Sequence, residues 1–258
     1  MIKIKPHFGV EAPGKITDYS RNTLIELIGL YKVVFFRQQD ITARELDQVT
    51  ELLGSVWYNH KSGILEMEDR HSLANSNIIT LVNNKGKGVL DDIWVPWHSD
   101  VAHRPWQLPG GTMPFRILYG HTISPNEFGR TSFYDKTFVV HTSANYELIE
   151  YKANYETPWA PNKMPLVTID PYTNQEIINI QKLWVENYTE DLDKIYQSVQ
   201  AEENVIHNVW SPGDLIICNN YTTCHQRDKL VSTDERTLWR TTFQIPELIP
   251  KSIKPEII

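Results

Sequence analysis

The sequence has little cysteine, no excess of basic residues and no long hydrophobic run. Its 258 residues include only 2 cysteines, too few for a disulfide scaffold or a cysteine-ligated zinc finger. Lysine and arginine total 25 against 32 acidic residues, for a formal net charge of -7. We therefore expect no binding to nucleic acid or to an anionic membrane surface. Because no membrane span or signal peptide is recognisable, we expect a cytoplasmic protein.

Internal repeats and low-complexity linkers are also missing. Hydrophobic residues make up 41% of the chain, and the 8 Trp, 12 Tyr and 8 Phe argue against disorder, which is poor in aromatic residues. We expect a single domain over 1–258. The glycine- and proline-rich stretch 85–111 predicts long loops, so we expect a loop or lid insertion at about 83–112.

The pattern of apolar residues predicts many short strands and a few helices. Helices are expected at 23–30, after the capping box of Thr42 and Glu45, around 143–151 and around 183–200. Strands are expected at 32–37, 78–82, 116–121, 131–134, 165–169, 176–180, 204–210, 214–218 and 236–244. This mixture is typical of a mainly β fold, an antiparallel barrel or sandwich with flanking helices.

The first candidate site is the pair His98 and Asp100 in Pro96-Trp97-His98-Ser99-Asp100. On an extended segment, residues two apart point the same way, so the imidazole and the carboxylate can share one metal ion. An isolated His-x-Asp pair in a sequence is more often structural than metal-binding. The motif needs support from elsewhere in the chain.

His225 provides that support. It follows a turn, an apolar strand and a polar loop, and it would complete a set of two histidines and one carboxylate. Such a facial triad leaves coordination positions open, as non-haem Fe(II) oxygenases require. Taken alone, His225 is better explained as a satisfied core or loop histidine.

Two arginines on one strand form the third feature. Arg236, Leu238 and Arg240 share a strand face by alternation. A buried guanidinium needs an anionic partner, and the carboxylate of a ligand is a natural one. The alternative is an edge strand whose arginines are solvated.

Together these features identify a resemblance to the taurine dioxygenase (TauD/TfdA-like) family of Fe(II)/2-oxoglutarate-dependent dioxygenases. The ordered set is specific, above all because Arg236 follows His225 by eleven residues. Two segments depart from the family pattern. Phe128-Gly129-Arg130-Thr131 stands where the family has Gly-Gly-Asp-Thr, and Asn219-Asn220 stands where it has Asp-Asn. The matching segments are 33–37, 97–100, 129–131, 165–167, 170–174, 213–214, Asn220, His225, Arg236 and Arg240.

The resemblance implies a double-stranded β-helix, the jelly-roll or cupin-like core, with helices packed outside. His98, Asp100 and His225 would bind Fe(II). Arg236 and Thr131 would bind the far carboxylate of 2-oxoglutarate, and O2 would be the third reactant. The implied reaction releases succinate and CO2 and oxidises, by default hydroxylates, an unactivated C–H bond of the substrate.

The resemblance also indicates a small-molecule substrate. Arg240 matches the position that contacts an anionic head group, and Asn83, Asn84, Tyr58 and His60 lie where the family places substrate contacts. An acidic chain without a basic tract favours a small anionic or zwitterionic molecule, such as an amino acid or its derivative. A homo-oligomer, dimer or tetramer, would be in keeping with the family.

Two other functions use the same triad. A jelly-roll protein that binds a metal without redox turnover would keep His98, Asp100 and His225 but would need neither Arg236 nor Thr131. A zinc hydrolase would need a general base beside the metal, and no glutamate adjoins either histidine.

Overall fold

In the computed structural model, the protein consists of two main β-sheets that pack against each other, with helices on the outside of the larger sheet. The structure describes residues 1–56, 73, 76, 78–82, 94–100, 115–124, 129–137, 148–151, 162–180, 182, 185–229, 235–249 and 251–252. The predicted insertion at about 83–112 lies outside these ranges except for 94–100. The expectation of a single domain stays a prediction.

The strands are short and are distributed over the whole described chain. They are β1 (Ile2–Lys3), β2 (Val10–Glu11), β3 (Val33–Phe36), β4 (Ser55–Val56), β5 (Thr80–Val82), β6 (Val95–His98), β7 (Phe115–Ile123), β8 (Arg130–Asp135), β9 (Leu148–Tyr151), β10 (Asn162–Pro165), β11 (Val167–Ile169), β12 (Glu176–Ile178), β13 (Val205–Val209), β14 (Leu215–Asn219), β15 (Thr223–Arg227), β16 (Arg236–Gln244) and β17 (Lys251–Ser252).

The two main sheets have the interleaved order of a jelly roll. The larger sheet follows the order β1-β2-β3-β14-β7-β16-β4, and β5 also pairs with β16. The smaller sheet follows the order β13-β8-β15-β6. Strands from the two ends of the chain are neighbours, since β3 pairs with β14 in antiparallel register. The mainly β fold with a double-stranded β-helix core is confirmed.

Strand β3 shows why the larger sheet needs cover on both faces. Val33 and Phe35 belong to the core between the sheets, whereas Val34 and Phe36 belong to the core beneath the helices. Because side chains alternate along a strand, a sheet buried on both faces needs a continuous apolar run. The run Val-Val-Phe-Phe meets that need, and all four side chains are 0% exposed.

The helices begin where the sequence supplies a cap. Helix α1 (Arg21–Tyr31) is capped by the Ser20 side chain, which accepts a hydrogen bond from the Thr23 amide. Helix α2 (Ala43–Leu53) has the predicted capping box between Thr42 and Glu45. Helix α3 (Glu190–Val199) is capped by Thr189. Short 3-10 helices occupy Ile16–Asp18, Glu202–Asn204 and Pro246–Leu248.

Two helix predictions are wrong in whole or in part. Residues Leu148–Tyr151, expected in a helix over 143–151, form β9 and pair with β10, because an antiparallel partner satisfies the backbone of this short segment. Residues 143–147 lie outside the described part. Of the helix expected over 183–200, Glu190–Val199 is helical, residues 185–189 are not, and 183–184 lie outside the described part. The helix begins after Thr189 because that residue caps its first turn.

Candidate active site

His98, Asp100 and His225 come together at one end of the smaller sheet. The His98 Nε2 atom lies 3.5 Å from Asp100 Oδ1, and the His225 Nε2 atom lies 3.3 Å from Asp100 Oδ2. One possible ligand atom from each residue falls within 4.8 Å of the others. Their side chains are 14 to 19% exposed, so the donor atoms are sheltered yet still reachable from the cavity beside them.

Backbone pairing brings these residues together. His98 ends β6 and is the direct antiparallel partner of His225 on β15. Ser99, between the two ligand candidates, points the other way and donates to the Thr223 carbonyl at 2.8 Å. Asn220 then holds the Asp100 backbone from both sides, since it accepts from the amide at 3.0 Å and donates to the carbonyl at 2.9 Å.

The His98 imidazole is oriented to present Nε2 to a cation, and the His225 imidazole is uncharged. The Nδ1 atom of His98 lies 2.8 Å from the Pro96 carbonyl, which can only accept, so Nδ1 carries the proton and Nε2 keeps its lone pair. Burial, assisted by the neighbouring His98, lowers the pKa of His225 to about 4. His225 is therefore neutral at physiological pH, the form that ligates metals.

Asp100 also contacts Arg116, a residue that sequence reasoning missed. The Arg116 Nε atom lies 2.6 Å from Asp100 Oδ2. Burial by itself would raise the pKa of Asp100, but the Arg116 guanidinium holds that pKa well below its usual range. The carboxylate is thus charged, as a metal ligand must be. The available signal was an arginine inside the otherwise apolar strand predicted at 116–121.

A cavity of about 70 Å³ opens beside the triad. Since a water molecule needs roughly 10–15 Å³ measured this way, the cavity has room for several waters or for part of a small ligand. Its wall combines the triad with apolar side chains and with guanidinium groups. The apolar members are Val82, Val95, Leu118 and Leu238, and the arginines are Arg116, Arg227 and Arg240.

Thr131 lines this cavity, and Arg236, which is not in the cavity wall, contacts Thr131 from behind it. The Arg236 Nη2 atom donates to Thr131 Oγ1 at 3.4 Å. Trp210 also donates to this hydroxyl, from Nε1 at 2.8 Å. With two donors directed at its oxygen, the Thr131 hydroxyl is oriented to donate its own hydrogen to an acceptor. Sequence reasoning did not assign Trp210 a role.

Arg240 lines the same cavity, and the alternative of an edge strand with solvated arginines is wrong. Strand β16 pairs with β7 along its length and with β5 over Leu238–Arg240. Arg236 is 1% exposed and Arg240 is 8% exposed. Both arginines are therefore enclosed in the core around the cavity.

Four other predicted substrate contacts lie outside the described residues. They are Tyr58, His60, Asn83 and Asn84.

The donors at the triad fit a divalent iron ion. Two imidazole nitrogens and one carboxylate form the ligand set of non-haem Fe(II) oxygenases, which leaves open positions for other ligands. A buried guanidinium beside a hydroxyl donor fits one end of a dicarboxylate. The site could therefore hold both a metal ion and an organic acid.

Comparison with known families agrees with this geometry. Residues 2–242 match the model described as "Taurine catabolism dioxygenase TauD, TfdA family". The chain belongs to this TauD/TfdA family. No curated protein sequence matches it.

Solved structures share this fold. A taurine dioxygenase from Burkholderia xenovorans aligns with a TM-score of 0.73 at 17% identity, over 98% of this chain and 94% of that one. The structure of AAD-2 in complex with Mn(II) and N-oxalylglycine aligns with a TM-score of 0.76 at 18% identity, over 93% of this chain and 96% of that one. At such identities the likeness supports the fold.

Membership of the TauD/TfdA family makes the protein an Fe(II)/2-oxoglutarate-dependent dioxygenase. Its cofactors are those of the family, Fe(II), 2-oxoglutarate and O2. Family membership argues against the two alternatives, a metal-binding protein without redox turnover and a zinc hydrolase. Among the described residues, no helix is both long and apolar enough to span a membrane.

Proposed function

We propose that this dioxygenase hydroxylates an unactivated C–H bond of a small anionic or zwitterionic molecule, an amino acid or amino-acid derivative, and releases succinate and CO2. The main support for this proposal is that the triad, Thr131 and Arg240 line one cavity. The proposal extends to the site residues, to a single domain over 1–258 with a loop or lid insertion at about 83–112, and to a cytoplasmic dimer or tetramer.

His98, Asp100 and His225 hold Fe(II) through two Nε2 atoms and one carboxylate. This assignment is supported by the distances of 3.5 and 3.3 Å from the Asp100 carboxylate to the two Nε2 atoms and by the His98 tautomer. When bound, iron and 2-oxoglutarate supply the oxidising chemistry, in which O2 is consumed as the 2-oxo acid loses CO2. The protein holds the reactants and excludes water.

Arg236 and Thr131 bind the far carboxylate of 2-oxoglutarate. The guanidinium offers a charged, planar pair of donors, and the Thr131 hydroxyl adds another. Trp210 orients that hydroxyl. N-oxalylglycine, present with Mn(II) in the AAD-2 structure, is likewise a dicarboxylate, in keeping with such a site.

Arg240 binds the anionic group of the substrate. Its guanidinium is always charged and lines the cavity that contains the triad. The aliphatic walls at Val82, Val95 and Leu118 suit the hydrocarbon part of a small molecule and keep water from the reacting carbon. The arginine therefore orients the substrate, and the apolar wall selects which C–H bond approaches the metal.

A screen for succinate release tests the proposal. Purified protein with Fe(II), ascorbate and 2-oxoglutarate is offered amino acids, other carboxylates, sulfonates and neutral analogues, and products are identified by mass spectrometry. We expect an anionic or zwitterionic compound to stimulate succinate release and to gain the mass of one oxygen atom. Stimulation confined to neutral compounds would contradict the proposed substrate class.

A further inference from the structure

Arg116 connects the two main sheets at the triad. It lies on β7 of the larger sheet, whereas Asp100 follows β6 of the smaller sheet. Its neighbours Phe115 and Ile117 face the helices, so alternation directs Arg116 into the space between the sheets, where it is 2% exposed. Its Nε atom lies 2.6 Å from Asp100 Oδ2. A guanidinium buried at this depth needs an anionic partner, and the Asp100 carboxylate is one in direct contact with it.

The two oxygens of Asp100 have different surroundings. Oδ1 lies 3.5 Å from His98 Nε2. Oδ2 lies 3.3 Å from His225 Nε2 and is also held by Arg116. Asn220 meanwhile holds the backbone of Asp100 at both its amide and its carbonyl. The residue is thus restrained at the main chain and at one carboxylate oxygen, and Oδ1 is the less engaged oxygen.

We propose that Arg116 is a positioning residue that engages Asp100 Oδ2, so that the carboxylate ligates the metal through Oδ1 alone. A carboxylate that bound through both oxygens would occupy one of the positions that a facial triad leaves open for 2-oxoglutarate and O2. Hydrogen-bond partners of metal ligands act in this way in other sites, by fixing orientation. The inference rests on the proposed metal site.

Metal binding without turnover tests this role. Co(II) is titrated into metal-free wild-type protein and into Arg116→Met, and its visible absorption reports both affinity and coordination number. We expect Arg116→Met to bind Co(II) about 10- to 100-fold more weakly with an altered band intensity. Arg116→Lys, which keeps a positive charge, is expected to recover part of the affinity.

Ile117→Val is the matched control. Ile117 adjoins Arg116 on the same strand but faces the helices and does not line the cavity. Its replacement should lower thermal stability while Co(II) affinity stays within about threefold of wild type, as expected of an effect on packing alone.

Failure of this inference can be told from failure of the proposed function. If the wild type itself binds no Co(II) or Fe(II), the metal site is wrong and the role of Arg116 falls with it. If the wild type binds and folded Arg116→Met has the same affinity and spectrum, only the role of Arg116 is overturned. Should Arg116→Met not fold, Arg116→Leu is used, which likewise has no side-chain donor, and wild-type affinity and spectrum in that variant would equally overturn it.

Discussion

His98 and His225 are direct partners on adjacent antiparallel strands, with ring centroids 4.3 Å apart and ring planes inclined at 52°. The placement of these two proposed metal ligands therefore depends on the register between β6 and β15. Cys224, the preceding residue on β15, faces the opposite side and packs with Tyr134 and Val205. A slip of one residue would exchange the faces of β15 and remove His225 from the cavity.

Replacement of Arg236 should separate cosubstrate binding from metal binding. Arg236→Ala removes a charged donor from the proposed carboxylate site, so we expect 2-oxoglutarate affinity to fall roughly 10- to 150-fold, from about 1.5–3 kcal/mol per charged hydrogen bond. Fe(II) affinity should change little. Anaerobic titration of the visible charge-transfer band of the Fe(II)–2-oxoglutarate complex measures the effect.

Arg130→Ala is the control for this measurement. Arg130 is adjacent to Thr131 in sequence, but its side chain is 45% exposed and pairs with Asp228 at 2.7 Å. Cosubstrate affinity should be unchanged in Arg130→Ala. Equal affinity of Arg236→Ala and wild type for 2-oxoglutarate would refute the assignment, and a wild type that binds iron without developing the band would refute the cosubstrate site.

Replacement of Arg240 should uncouple the reaction. In Arg240→Ala, the proposed anion contact of the substrate is lost while the triad, Arg236 and Thr131 remain. We expect substrate-stimulated turnover to disappear and slow succinate formation without substrate to persist, with Arg240→Lys retaining part of the coupled rate. The ratio of succinate to oxidised product measures coupling. Full coupling in Arg240→Ala would show that this arginine does not hold the substrate.

Trp210 should act on the cosubstrate through Thr131. Trp210→Phe keeps an aromatic ring but removes the indole donor, and a neutral hydrogen bond contributes about 1 kcal/mol, or roughly fivefold in 2-oxoglutarate affinity. In a Thr131→Val background the same substitution should have almost no further effect, since the acceptor is already gone. Additive effects in this double-mutant cycle would mean that Trp210 acts independently of Thr131.

The two cysteine thiols should be unreactive in the folded protein. Burial raises the pKa of Cys218 to about 12 and also raises the pKa of Cys224. A raised pKa keeps the thiol protonated, and the thiolate is the reactive form. At pH 8 we expect a thiol reagent to label neither residue in the native state and both after denaturation. Native labelling at the rate of a free thiol would contradict the described burial.

Local patterns predicted much of the fold because they report on local physics. The capping box of Thr42 and Glu45 begins α2 as expected, and Arg236–Gln244 forms a strand with the predicted bounds. Segment 148–151 was misjudged because so short a sequence adopts a strand only when a partner, here β10, supplies its hydrogen bonds.

By itself, the sequence determined the kinds of ligand and the family pattern: two histidines and an aspartate, followed by Arg236 at a characteristic interval. Their order along the chain, with the resemblance, was sufficient to predict the jelly roll and its cofactors. The tertiary structure decided which residues support them. The packing of one sheet on the other brings the Arg116 guanidinium to the Asp100 carboxylate. The pairing of β13 with β8, strands far apart in sequence, brings the Trp210 indole to the Thr131 hydroxyl. Such contacts have no local periodicity, because they arise from the pairing of distant strands and from the closure of the two sheets.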